Sequence, residues 1–268
     1  MVRSVISLLI LAVAGIRWQA QAPAFSVVEA SIPEMQAAMK EGRITSREIV
    51  RQYLTRIALY EDKLNAVITV NPEALEEAEA RDRERAQGKI RGPLHGIPIA
   101  LKDNIHTTDM PTTGGALAFE GLVPSYEATL TKNLREAGAL IIGKTGMTEL
   151  ANYVASGMPG NYNALAGYGM NPYDPRRDPR DATADGRPAL GTGGSSSGIG
   201  TAASFWAANV GSDTGPALAL EGALTARIWE LLRLKAGLGY DFVRTDFHQT
   251  SAHWTGNVTY LVGFELGM

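Results

Sequence analysis

Apolar positions recur with helical spacing early in the chain and give way to short apolar runs bounded by glycine and proline. Ser31-Ile32-Pro33-Glu34 is a capping box with Pro in the first turn, and Gly42 can close the helix it opens. Thr45-Ser46-Arg47-Glu48 is a second capping box. It predicts a helix with Ile49, Val50, Tyr53, Leu54 and Ile57 on one face. Asn71-Pro72-Glu73 predicts the start of a third helix, charged and Ala-rich, that stops near Gly88. Its charges read as a solvated face rather than a binding patch.

Beyond Gly92-Pro93 the period changes. Ile97 to Leu101 and Ala139 to Gly143 read as buried strands, with a helix over Ala128 to Ala137 between them. Residues 157–194 carry little periodicity and much Gly, Pro, Asn and Asp, and Asp174 to Arg187 reads as a charged loop. Ala-rich Ser197 to Ala208 is expected to be a helix, and Leu224 to Leu234 shows a helical apolar face through Ile228, Leu231 and Leu232. Residues 258–266 alternate strictly. Val258, Tyr260, Val262, Phe264 and Leu266 fall on one face, as in a period-two strand. Helices alternating with glycine-bounded apolar runs predict an α/β layer fold with both sheet faces covered.

The N-terminus reads differently. Arg3, the apolar run Val5 to Ile16 and the small-x-small pattern Ala20-Gln21-Ala22 together predict a secretory signal peptide over residues 1–22, with an uncleaved anchor as the alternative. The expected location is therefore exported, periplasmic or secreted. The run is shorter than the roughly 20 apolar residues of a membrane-spanning helix. Composition narrows the function. The 268 residues carry 25 Lys+Arg against 28 Asp+Glu, a balance that argues against a nucleic-acid partner. There is no Cys, which excludes disulfides, thiolate metal sites and a Cys nucleophile.

Three segments carry candidate chemistry. In Gly96-Ile97-Pro98-Ile99-Ala100-Leu101-Lys102-Asp103-Asn104 a lysine ends an apolar strand. Desolvation there makes a lysine a usable base, and a solvated strand end is the alternative. Gly191-Thr192-Gly193-Gly194-Ser195-Ser196-Ser197-Gly198 offers backbone N–H groups beside hydroxyls. A flexible linker or an anion nest would also use such a run. No Lys follows its glycines, so it is not a Walker A loop. It matches Gly-x-Ser-x-Gly around Ser196, which would make Ser196 an elbow nucleophile with Asp241 or Asp246 and His248 or His253 following in order. Arg187 to Leu190 is a poor strand for such an elbow. Gly211-Ser212-Asp213-Thr214-Gly215 is a third turn able to point amides at an anion. The four histidines, His95, His106, His248 and His253, lack helical metal-site spacing, so no metal is expected. Asp103 could tune Lys102 or cap a turn, and the structural role is the one expected.

Taken in order, Gly-Ile-Pro-Ile-Ala-Leu-Lys-Asp-Asn, Gly143-Lys144-Thr145-Gly146-Met147-Thr148-Glu149, Asn171-Pro172-Tyr173 and Gly-Gly-Ser-Ser-Ser-Gly resemble the amidase signature family. The resemblance runs from about Ser31 to Gly215. It implies an α/β/α sandwich around a mixed central sheet, present here only in its N-terminal portion. It also implies hydrolysis of an amide C–N bond in a small-molecule or peptide substrate, through a Ser–Ser–Lys triad with no metal and no cofactor. By this likeness Lys102 is the base and Ser195 the bridging serine, whose preceding peptide is cis in the family. Backbone groups at Thr214 and Gly215 would hold the oxyanion.

Two departures follow from the same alignment. Ala217 stands where the family has its nucleophilic serine, and alanine forms no acyl intermediate. Pro216 has no N–H for an oxyanion hole. Ser212 survives five residues earlier, and Ser196 and Ser212 are the secondary candidates. The expected organisation is a leader over 1–22, an amidase-like portion over 23–215 and a divergent tail over 216–268 made of a helix and alternating strands. The tail faintly resembles the last strands of an outer-membrane β-barrel, and membrane or partner contact is the non-catalytic alternative for this chain.

Overall fold

A computed structural model describes residues 25–153, 158–180, 185–212, 218–229, 232–244 and 254–266. The expectation of a leader over residues 1–22 falls outside them.

The helix punctuation works as the capping chemistry requires. Helix α1 spans Ile32–Lys40, and both halves of the Ser31/Glu34 capping box form. Helix α2 spans Ser46–Leu64, with the Thr45 hydroxyl accepting from the Glu48 amide at 3.1 Å. Helix α3 spans Ala74–Ala86. Asn71 starts it differently from a simple cap. Its Oδ1 accepts from the Glu73 amide at 2.8 Å while its Nδ2 donates to the Ile141 carbonyl at 2.8 Å. One buried side chain thus ties the helix start to the sheet.

The central sheet is mixed. Strands β1 (Val67–Val70), β2 (Pro98–Lys102), β3 (Leu140–Thr145) and β6 (Ala208–Val210) lie in the order β1-β3-β2-β6. Strand β1 runs antiparallel to β3, and β2 runs parallel to both β3 and β6. Helix α4 (Thr129–Glu136) makes the crossover from β2 to β3. Both β2 and β3 are buried along their whole length, which is why they read as apolar runs rather than alternating ones. Toward α1 and α2, Ala100 and Ile142 share a core cluster with Met35, Ile49 and Tyr53. The opposite side packs Leu101 and Ile141 with Ile105 and Met110. Beyond the sheet, β4 (Tyr162–Asn163) and β5 (Gly167–Tyr168) form a small hairpin.

Two expectations are corrected. The helix foreseen over Ser197 to Ala208 stops early. Helix α5 is only Ser197–Ala202, and the chain turns so that Phe205 and Trp206 enter the core before β6. Burial of two aromatic rings overrides the helix preference of an Ala-rich run. The helix foreseen over Leu224 to Leu234 is absent. Strands β7 (Leu218–Trp229) and β8 (Leu232–Arg244) pair there antiparallel, and β8 pairs with β9 (Trp254–Leu266). Leu224, Ala226 and Ile228 also fit a period of two, and a partner strand on β8 decides the ambiguity.

At the C-terminal end of α2, Glu61 accepts from the Val67 amide at 2.8 Å, while its Oε2 is buried with no hydrogen-bond partner among the described residues. Burial pushes its carboxyl from 4.5 up to about 7, against the opposing pull of the Val67 and Ala66 amides. A raised carboxyl means the folded chain holds its proton longer than the unfolded chain. The stability it contributes is complete below about 4.5 and is lost as pH rises through about 7. Glu61→Gln, which cannot ionise, should therefore gain on the parent by about 2–3 kcal/mol between pH 5 and pH 8 in urea unfolding. A difference that does not change with pH would contradict this.

Candidate active site

The site sits at the C-terminal ends of parallel strands, where an open α/β sheet presents loops to a ligand. Lys102 ends β2 and is 4 % exposed. Its Nζ donates to the main-chain oxygen of Ser212, just past β6. Asn104 Nδ2 donates to Ser212 Oγ at 2.7 Å. Ser212 therefore belongs to the lysine's surroundings, but its hydroxyl is engaged by Asn104.

The serine run stands on the neighbouring strand end. Ser195 forms a bridge with Met147, and the Ser196 amide donates to the Gly146 carbonyl at 2.8 Å. The Ser195 hydroxyl donates to Ser197 Oγ at 3.0 Å and accepts from the Ser197 amide at 3.3 Å. Ser197 Oγ in turn lies 2.8 Å from Thr145 Oγ1. Thr145 is the register partner of Lys102 in the parallel β2–β3 pair. A Cβ placed on Gly211 would meet Ser197 Oγ at 3.8 Å, so the Gly211–Ser212 turn lies beside the same hydroxyls. Lysine, serine run and the Gly211–Ser212 segment thus come together around the ends of β2, β3 and β6.

Ser196 does not join them. It is 1 % exposed, and its hydroxyl donates to Asn161 Oδ1 at 3.0 Å on the core side. An elbow nucleophile has to meet substrate, and this one is packed against Gly146 and Gly169 instead. Asp241 lies on β8, while Asp246, His248 and His253 fall outside the described residues, as do Thr214, Gly215, Pro216 and Ala217. Among the described residues no peptide bond is cis, so the Gly194–Ser195 peptide is trans where the resemblance implies cis.

Behind the site is an element that motif reading left without a role. Lys144 and Asp103 are both fully buried, with Lys144 Nζ 3.3 Å from Asp103 Oδ1. Burial pulls the Lys144 ammonium below the usual lysine range, and Asp103 opposes that pull. Lys144 also donates to Thr112 Oγ1 at 2.7 Å and to the Pro111 carbonyl at 3.1 Å. Asp103 Oδ2 accepts from the amide of Thr113 at 3.0 Å and from its hydroxyl. Its amide donates to the Thr145 carbonyl at 3.1 Å. Asp103 does cap a turn, as expected, and the pair clamps segment 111–115 onto the strand ends that carry Lys102 and Thr145. A signal was present: Leu101-Lys102-Asp103 and Gly143-Lys144-Thr145 are two apolar strands that each run into a lysine. His95 is structural. It is fully buried, with Nε2 3.0 Å from the Arg81 carbonyl, and burial lowers its pKa.

The Amidase family profile matches residues 48–217. A probable amidase of Arabidopsis thaliana is 41% identical over 152 residues, covering 56% of this chain and 30% of that protein. A subunit of the glutamyl-tRNA(Gln) amidotransferase of Streptomyces avermitilis is 35% identical over 207 residues, covering 76% of this chain and 38% of that protein. The peptide amidase of Stenotrophomonas maltophilia superposes with a TM-score of 0.58 at 38% identity, covering 66% of this chain and 35% of that one. The chain spans well under half the length of these relatives. The family match covers the same stretch that builds the mixed sheet and its strand-end site, and on it the chain belongs to the amidase family.

Proposed function

We propose that residues 23–215 form the N-terminal portion of an exported hydrolase of amide C–N bonds, with Lys102 as base and Ser195 as the bridging hydroxyl. The observation that carries this reading is the meeting of the buried Lys102, the Ser195–Ser197–Thr145 hydroxyls and the Ser212 turn at adjoining strand ends. In the reaction a second serine attacks the amide carbonyl. Its proton passes through the Ser195 hydroxyl to a neutral Lys102, and the lysine returns a proton to the leaving amine. Backbone N–H groups at Thr214 and Gly215 would hold the tetrahedral oxyanion.

This chain is impaired at that step. Ala217 has no hydroxyl to attack with, and Pro216 offers no N–H; a lost oxyanion donor alone costs on the order of 10²–10³ in rate. Small-molecule or peptide amides are the substrate class, supported by the names of the relatives, one of which is a peptide amidase. Export is supported by the Arg3 and Val5 to Ile16 leader pattern. Hydrolysis of a panel of simple amides and esters tests the reading. The purified chain should turn over none of them above background. Turnover by the parent would place the nucleophile at another serine, such as Ser212, and overturn the assignment of position 217.

A further inference from the structure

The register of β7, β8 and β9 joins three separate sequence patterns into one surface. In an antiparallel pair, residues directly opposite share a face of the sheet. Leu220 pairs with Tyr240, which pairs with Val258; Gly222 pairs with Leu238, which pairs with Tyr260. Every even-numbered residue of β8 thereby shares a face with the even-numbered residues of β9 and of β7 up to Ala226. The three strands contain seven charged residues. Six of them (Glu221, Arg227, Arg233, Lys235, Asp241 and Glu265) fall on the odd face. The seventh, Arg244, is the last residue of β8.

The ends of the apolar face carry aromatic residues. Trp254 and Phe242 stand at one end. Phe264 stands at the other, joined by Trp229, which a register shift pairs with Leu232. Phe264 is ten residues from Trp254, about 33 Å along a strand. Tilted at about 40°, as barrel strands are, that distance spans a band of about 25 Å, the height of the apolar belt between aromatic girdles in an outer-membrane barrel.

We propose that β7, β8 and β9 are a section of transmembrane β-barrel wall, with the even face toward lipid hydrocarbon and the odd face toward an aqueous lumen. Hydrocarbon offers no partner to an open strand edge, so further strands complete the wall at the outer edges of β7 and β9. The leader pattern at Arg3 and Val5 to Ile16 points the same way, since such a wall is reached only by an exported chain. The inference stands apart from the amidase reading: it shares the export pattern with it and uses none of its site residues.

The chain has no Cys, so single-cysteine variants report on one position each. The full chain is expressed, membranes are isolated and washed with urea, and a membrane-impermeant maleimide is applied. The chain should stay with the membrane. Leu238→Cys and Tyr260→Cys should be protected, and Gly237→Cys and Thr259→Cys should label. Leu238→Arg, at the middle of the lipid face, should lower the ratio of membrane-retained to released chain about 30-fold or more, while Thr259→Arg leaves it unchanged. Should the chain accumulate unfolded in cells, the same variants are refolded from urea into dilauroylphosphatidylcholine vesicles, with the same contrast expected. A chain recovered in the soluble fraction, or refolding without regard to vesicles, overturns the proposal. So does equal labelling of both faces. Protection of even positions in a soluble oligomer assigns the face to a second copy and equally overturns it.

Discussion

Lys144→Met should destabilise the folded body by about 3–5 kcal/mol, because it strands the fully buried Asp103 carboxylate without its cation. Methionine matches the length of the lysine stem, so packing is largely kept and the loss reports on charge. Two further bonds disappear, to Thr112 Oγ1 and to the Pro111 carbonyl. The clamp on segment 111–115 then rests on Asp103 alone. Adding Asp103→Asn to Lys144→Met should recover part of the loss, since the orphaned charge goes with it. Urea unfolding of the two single variants and the double variant measures the coupling, expected at about 1–3 kcal/mol. Additive losses would mean the ion pair is incidental to the fold.

Trp206→Ala should cost a similar amount, about 3–5 kcal/mol. The indole is 2 % exposed, stands edge-on to Phe205 and donates from Nε1 to Thr201 Oγ1 at 2.9 Å. Its place is made by a glycine. A Cβ at Gly200 would stand 2.0 Å from the Trp206 ring, a separation no packing tolerates. Gly200→Val should therefore unfold the same region by expelling the indole. Gly200 lies within helix α5, which begins with Ser197, and Trp206 packs back onto it, so either change should also loosen the Ser197–Thr145 contact at the site. Tryptophan fluorescence and urea unfolding together check this. A variant Gly200→Val as stable as the parent would contradict the packing argument.

What was legible in the sequence follows from how local each signal is. The capping signals at Ser31 and Thr45 act within four residues: the Ser31 box forms completely, and at Thr45 the hydroxyl half forms while the Glu48 carboxylate turns to Arg51. Strands β2 and β3 were legible because both of their faces are buried, leaving uninterrupted apolar runs. Lys102 and Ser195 were legible as motif positions. Strand β1 was missed because Val67–Val70 is four residues long and becomes a strand only by pairing with β3. Helix α5 was overdrawn because nothing local announces that Phe205 and Trp206 turn inward. The tail was misread at Leu224 to Leu234 because Leu224 and Ile228, four apart, fit one face of a helix and one face of a strand alike, and only a partner strand decides between them. The roles of Thr145, Ser197 and the Lys144–Asp103 pair are products of parallel register. Lys102 and Thr145 are adjacent only because β2 lies beside β3.

In the function proposed above, Lys102 and Ser195 keep their amidase roles while the nucleophile is lost. Labelling with a fluorophosphonate probe tests it most directly, using the full chain, Ala217→Ser, and Ala217→Ser combined with Lys102→Ala. The account predicts no labelling of the parent, labelling of Ala217→Ser at the introduced hydroxyl, and loss of that labelling when Lys102 is removed. Labelling of the parent at any serine would contradict it, as would an Ala217→Ser variant that stays unlabelled or that labels equally well without Lys102.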